Sequence, residues 1–129
     1  MWYRVYSKNR KHSTIKTNIG ILSCGGWKDL NNDNNGNKKC WKLDTDNTWV
    51  PFPNMTVGRY FFAMGEAKNI LVVIGGETTS NSMEWINLDE GKEWTRKNLS
   101  FPSYKSCLSK YNDTHLLLIG GFDVGYVCQ

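Results

Sequence analysis

The chain of 129 residues has little of what helical and membrane proteins need. It contains two alanines and three prolines, and no stretch shows the apolar period of a helix. Its longest apolar runs, Ile70 to Ile74 and Leu116 to Ile119, are too short to span a bilayer. The first residues lack the apolar core of a secretory signal. These absences predict an all-β, cytoplasmic protein that does not cross a membrane.

Aromatic residues and glycine are plentiful instead. The chain is 13% aromatic and has 12 glycines, enough for a packed core with many turns. The net charge of +4 arises in the first 20 residues, which hold five basic residues and no acidic one. The remainder is near neutral, with eleven basic and twelve acidic residues. A nucleic-acid binder needs a larger basic field, so we expect no nucleic-acid partner.

The cysteines lack the close spacing of a zinc site. They are Cys24, Cys40, Cys107 and Cys128. Because no secretory signal is visible, we expect reduced and mostly buried thiols. Three Asn-x-Ser/Thr glycosylation triplets, at Asn54, Asn98 and Asn112, leave a secreted alternative open.

An apolar run ending in two glycines occurs three times. The pairs are Gly25 with Gly26, Gly75 with Gly76, and Gly120 with Gly121. The first glycines of successive pairs are 50 and 45 residues apart. Trp49 stands 26 residues before Gly75, and Trp94 stands 26 residues before Gly120. Glycine pairs and tryptophans that recur at a constant separation indicate a repeat. The run Ile70 to Ile74 does not alternate, which predicts a strand covered on both faces by neighbouring sheets.

Each repeat is predicted to contain four short strands. In the middle unit they are Arg59 to Glu66, Ile70 to Ile74, Met83 to Leu88, and a fourth around Trp94 to Lys97. Trp49 and Trp94 are large enough to fill the gaps between neighbouring sheets. The glycine pairs would let neighbouring backbones approach closely.

These glycine pairs and tryptophans, and the junction from Trp49 to Arg59, resemble the kelch repeat. The following junction departs from the pattern, with Tyr104 and Lys105 near the expected arginine. Kelch units are the blades of a β-propeller. The resemblance implies an all-β fold: a partial kelch β-propeller of about two and a half four-stranded antiparallel blades, its ring not closed. The blades would span about residues 10–53, 57–100 and 103–129, and residues 1–8 would end an earlier blade.

The resemblance implies a protein–protein interaction module. One form is the substrate-binding part of a cullin-3 ubiquitin ligase adaptor, in which cullin-3 would bind only through BTB and BACK regions absent from these residues. The alternatives are a truncated structural fragment, an actin-binding or cytoskeletal kelch protein, and, more remotely, a fragment of a kelch-fold enzyme. Open blade faces would expose apolar side chains, so the isolated chain is expected to aggregate or oligomerise.

Loops at one end of a propeller would carry the partner contacts that the resemblance implies. The predicted partner-binding residues are Lys11, Trp27, Lys28, Asp29, Arg59, Tyr60, Glu77, Thr78, Thr79, Phe122 and Asp123. Arg59 is either a contact residue or a strand-end anchor. The predicted structural residues are the six paired glycines with Trp49 and Trp94. No catalytic constellation, metal-ligand spacing or phosphate loop is visible, so we expect no enzymatic activity, cofactor or metal.

Overall fold

The computed structural model describes residues 12–26, 36–77 and 79–120. Within these ranges the chain forms ten strands and no helix: β1 (Ser13–Thr17), β2 (Gly20–Cys24), β3 (Cys40–Leu43), β4 (Trp49–Phe52), β5 (Ala63–Ala67), β6 (Ile70–Ile74), β7 (Ser82–Asn87), β8 (Thr95–Asn98), β9 (Cys107–Asn112) and β10 (His115–Ile119). The all-β prediction is confirmed. The part of the chain described here has no helix long and apolar enough to cross a membrane.

The strands form three antiparallel sheets, which do not close into a ring. The first sheet has the order β1-β2-β3-β4, the second β5-β6-β7-β8, and the third pairs β9 with β10. Each four-stranded sheet is a meander in which sequential strands pair, as expected for short strands separated by turns. Four strands per repeat is therefore confirmed for the first two units.

The strand predicted from Ile70 to Ile74 has those bounds in the structure. Its predecessor begins at Ala63 and not at Arg59. Phe61 has a φ of 57°, which ordinary strand geometry does not allow. The carbonyl of Tyr60 accepts from Glu77, so this part of the backbone bonds to a loop before the strand starts.

The core lies on one face of the central strands. Leu71 and Val73 of β6 are fully buried, while the intervening apolar residues are half-buried. Both faces of β6 are thus at least partly covered, as the continuous apolar run predicted. Trp94 is also buried, and its Nε1 donates to the Pro53 carbonyl at 2.8 Å, across the junction between the first two sheets. Trp49 is half-buried.

The three sheets lie side by side along their first strands. β5 contacts β1 on one side and both β9 and β10 on the other. Gly65 of β5 makes the second contact close, because a Cβ there would stand 2.9 Å from Cβ of Leu108. A side chain larger than hydrogen at this position would therefore push the third sheet away.

The first glycine of each pair lets the next unit approach. Gly25 and Gly75 have φ values of 72° and 75°, where other residues are strained. A Cβ on Gly25 would lie 2.6 Å from the Arg59 carbonyl oxygen, and one on Gly75 would overlap the Ser103 carbonyl. Gly120 has the same backbone conformation, yet its nearest neighbour would be 3.8 Å away. The glycine pairs therefore serve close packing at the two junctions that the structure describes.

The prediction of reduced thiols is wrong for Cys24 and Cys40, which form a disulfide. The two residues are directly opposite each other on β2 and β3, so the ladder brings their side chains together. Both are buried, as expected. Cys107 is also disulfide-bonded. Sequence spacing gave no sign of the pairing, because 16 residues separate the two partners.

Candidate functional site

Because neighbouring strands run in opposite directions, the connections between them lie at two opposite ends of the sheets. We call the end where β2 and β6 finish and β5 and β9 begin the loop end. The opposite end, which carries the β1–β2, β5–β6 and β9–β10 turns, is the hairpin end. Two equivalent hydrogen bonds define the loop end: Gly26 N to Arg59 O at 2.8 Å, and Gly76 N to Ser103 O at 3.0 Å. They fix each glycine pair beside the entry segment of the following sheet.

Arg59 lies inside the junction of the first two sheets. Its side chain is fully buried and donates to Glu84 Oε2 from Nε at 3.1 Å and from Nη2 at 3.0 Å. Further bonds reach the carbonyls of Gly75 and Ser82 and the Ser82 hydroxyl. The second carboxylate oxygen of Glu84 accepts the Thr56 N–H at 2.6 Å. Every charged group of this pair is therefore satisfied internally, as a buried ion pair requires.

These contacts support the anchor alternative for Arg59. Burial lowers the pKa of the guanidinium, and the carboxylate of Glu84 opposes that effect. Arginine remains protonated in proteins, so the pair stays ionic. Because the side chain has no exposed surface, it acts on the loop end by holding the Gly75 loop, and not by touching a partner.

The loop end also carries a group of aromatic and charged side chains, which we call the aromatic patch. Its members are Tyr60, Phe61, Glu77, Tyr104 and Lys105. Phe61 and Tyr104 meet edge to face, with ring centroids 6.0 Å apart. Nζ of Lys105 lies 4.9 Å from the centroid of Phe61 and 5.2 Å from that of Tyr104. This geometry is a cation–π cluster that spans the second junction.

Tyr60 and Glu77, both predicted from sequence, are brought together in the patch. The Glu77 N–H donates to the Tyr60 carbonyl at 3.1 Å. Burial, and then the neighbouring carboxylate of Glu77, raise the pKa of the Tyr60 phenol. Tyr60 is mostly buried and Glu77 is exposed. Glu77 is therefore the member of this pair that a partner could contact, and Tyr60 packs beneath it.

Phe61, Tyr104 and Lys105 were missed as site residues. Phe61 and Lys105 occupy equivalent positions. Each stands two residues before the first strand of its sheet, and their φ values are 57° and 53°. Left-handed backbone at two equivalent non-glycine positions directs both side chains to the same end. The repeat register could have found them, because Phe61 and Lys105 are 44 residues apart, close to the repeat length.

A groove of about 360 Å³ lies at the loop end of the second sheet, beside β7, β8 and the loop before β7. Its lining residues are Val57, Thr79, Ser80, Asn81, Ser82, Arg96 and Asn98. Thr79, another predicted residue, donates its hydroxyl to the Gly75 carbonyl at 2.8 Å and so shapes the loop. Arg96 is exposed, and its positive charge suits a carboxylate.

Several predicted residues lie outside the described ranges. These are Lys11, Trp27, Lys28, Asp29, Thr78, Gly121, Phe122 and Asp123. Among the residues that are described, no group of three or more His, Cys, Asp or Glu side chains could hold a metal ion. The sequence matches no protein-family model, and no curated protein matches it significantly.

Proposed function

We propose that this chain is a protein-binding module, built as part of a kelch-type β-propeller and contacting its partner through the loop end. The architecture supports this because two four-stranded meanders and a two-stranded sheet lie side by side along their first strands. Propeller blades pack in this way around a central axis. Rigid sheets that present loops at one end are suited to recognition.

The observation that carries the proposal is the aromatic patch at the junction of the second and third sheets. Phe61 and Tyr104 are half-buried, and Lys105 is exposed above them. Aromatic side chains on a rigid support are among the residues that dominate binding energy in protein interfaces, and an exposed cation beside them adds charge selectivity. Arg96 in the groove adds a second exposed cation. The partner is therefore a protein loop that combines acidic with apolar side chains.

The experiment compares two lysines that differ in position. Lys105 at the loop end and Lys68 at the hairpin end are both exposed, with φ values of 53° and 50°. The full chain is immobilised as the wild type, Lys105→Glu and Lys68→Glu, and proteins captured from cells that express it are quantified by mass spectrometry. We expect the specific partner to be lost with Lys105→Glu and retained with Lys68→Glu. Equal loss or equal retention in both variants would contradict a loop-end site.

The cullin-3 adaptor is a more particular form of this proposal. It requires the cytoplasmic location that the sequence alone predicted. The disulfide between Cys24 and Cys40 weighs against it, because disulfides are rare in the reducing cytosol. Co-purification with cullin-3 of the protein as its own cells express it tests the adaptor directly. Failure to co-purify would leave the loop-end module in place without a ligase role.

A second candidate is a structural fragment that has no activity alone. The third sheet favours it, because Leu117 and Ile119 of β10 are 49% and 51% exposed. Within the described ranges no strand pairs with the outer edge of β10, and such edges promote association. Light scattering of the purified chain tests this: concentration-dependent oligomers support the fragment, and a stable monomer contradicts it.

A further inference from the structure

We propose that this chain matures in an oxidising secretory compartment and carries an N-linked oligosaccharide on Asn112. The proposal does not depend on the protein-binding function, since it concerns the opposite end of the sheets. It rests on two independent features of the molecule: the geometry of the β9–β10 turn and the state of the cysteines.

Asn112 ends β9 and opens the turn at the hairpin end of the third sheet. Asn112, Asp113 and Thr114 are all exposed, as a bulky glycan requires. Oδ1 of Asn112 accepts the Thr114 N–H at 2.9 Å and the Thr114 hydroxyl at 3.0 Å. Nδ1 of His115 lies 3.1 Å from the same oxygen. These contacts form an Asx-turn that fixes the carboxamide through its oxygen.

The nitrogen of that carboxamide is the atom to be modified. Nδ2 of Asn112 makes no hydrogen bond within the described part of the chain. The hydroxyl that the triplet requires is already bonded to the same side chain, so the acceptor amide and its hydroxyl partner are held together. Asp113 is exposed and forms a salt bridge with Lys110 at 3.6 Å on the turn surface.

In the other two triplets the asparagine and the hydroxyl residue are also exposed, but the backbone between them is hydrogen-bonded to the second sheet or to the loop before β7. In the triplet of Asn54, Met55 is buried and the Thr56 N–H donates to Glu84. In the triplet of Asn98, the Leu99 N–H donates to the Asn81 carbonyl at 2.6 Å. Both segments belong to the loop end, where a glycan would crowd the groove or the first junction. Asn112 alone combines an exposed turn with distance from these contacts.

The cysteines place the chain in the compartment where this modification occurs. Cys24 and Cys40 are joined, and Cys107 is also disulfide-bonded. Structural disulfides persist in the lumen of the secretory pathway and outside the cell. N-linked transfer operates in the same lumen, so the disulfide and the triplet point to one location.

The donor in this transfer is a lipid-linked oligosaccharide pyrophosphate. A bond forms between Nδ2 of Asn112 and C1 of the first sugar, while the bond from C1 to the pyrophosphate oxygen breaks. The lipid pyrophosphate leaves with the electron pair of the broken bond, and the proton lost by the amide nitrogen passes to solvent or to the departing pyrophosphate.

The first test uses the natural full chain, isolated from cells that express it. Thiols are blocked during lysis, and the protein is treated with peptide N-glycosidase in heavy-oxygen water and mapped by mass spectrometry. We expect heavy aspartate at position 112 and a cross-linked peptide pair that contains Cys24 and Cys40. An unmodified Asn112, or blocked free thiols at Cys24 and Cys40, would overturn the proposal.

A second test uses variants expressed in the same cells and examined by glycosidase-dependent gel mobility. Asn112→Gln and Thr114→Ala are expected to lose the mobility shift. Thr114→Ser retains the hydroxyl and is expected to keep the shift, which separates loss of the acceptor from misfolding. Asn98→Gln is the matched control and is expected to keep it. A shift that persists in Asn112→Gln, or that disappears only in Asn98→Gln, would contradict the assignment to Asn112.

Discussion

Arg59 and Glu84 form a fully buried ion pair, with Nη2 and Oε2 3.0 Å apart, that ties the segment before β5 to the middle of β7. Removal of either partner leaves an uncompensated buried charge. We expect Arg59→Ala or Glu84→Ala to lower the free energy of unfolding by about 3–5 kcal/mol. Urea unfolding followed by tryptophan fluorescence measures the change.

The double variant and a surface control complete this test. Arg59→Ala with Glu84→Ala removes both charges, and its cost is expected to be smaller than the sum of the single costs. Arg96→Ala removes an exposed charge opposite Glu84 and is expected to change stability by less than about 0.5 kcal/mol. If the cost of the double variant equals the sum of the two single costs, the two side chains do not act as a pair.

The second prediction concerns Gly75, which the Ser103 carbonyl approaches closely. A Cβ at this position would overlap the Ser103 carbonyl, and the φ of 75° adds strain. We expect Gly75→Ala to cost more than about 2 kcal/mol, since αL strain alone costs about 1–2 kcal/mol. Gly91 has a φ of 43°, and its nearest atom would be 3.7 Å away, so Gly91→Ala measures the strain alone. Equal costs for the two variants would rule out a steric role for Gly75.

Trp94 contributes through its indole nitrogen as well as through its size. Trp94→Phe keeps most of the buried ring but leaves the Pro53 carbonyl without the 2.8 Å hydrogen bond. We expect a loss of about 1–3 kcal/mol in the free energy of unfolding. Trp41 is 38% exposed, so Trp41→Phe serves as the control, with a change below about 0.5 kcal/mol. Similar losses in the two variants would contradict the role of the hydrogen bond.

Cys24 and Cys40, predicted from the sequence to be reduced thiols, are joined by a disulfide. Replacement of both partners, Cys24→Ala with Cys40→Ala, removes a link between residues 16 apart in the sequence. By the chain-entropy argument this costs about 3 kcal/mol. Thermal unfolding of the variant under oxidising conditions provides the measurement. An unchanged midpoint would mean that the β2–β3 ladder holds this region without the covalent bond.

We expect the protein to lose stability at alkaline pH because of Tyr60. Its pKa in the folded protein is raised from the ordinary value of 10.0, first by burial and then by Glu77. The unfolded chain therefore releases the proton first, so the stabilisation is complete below about pH 10 and falls as the pH rises toward the folded pKa. Stability measured across this range should decline less in Tyr60→Phe. An equal decline in both proteins would remove Tyr60 as the cause.

Part of the candidate site could be predicted because the repeat itself sets its position. Glu77 and Thr79 follow a glycine pair, and Tyr60 opens a unit, so the repeat register placed them at one end. Phe61 and Lys105 were missed because their selection depends on left-handed backbone, which their residue types do not suggest. The sequence left Arg59 as either a contact residue or an anchor. Burial of its side chain depends on the strand that carries Glu84, 25 residues later in the sequence.

The sequence by itself determined the local structure: short strands, the turns between them and the repeat length, because alternation and glycine act over a few residues. The bounds of β6, from Ile70 to Ile74, followed from its apolar run alone. Only the tertiary structure decided which distant side chains meet. Cys24 reaches Cys40, and Arg59 reaches Glu84, because strand register and sheet packing bring together residues that no local pattern connects.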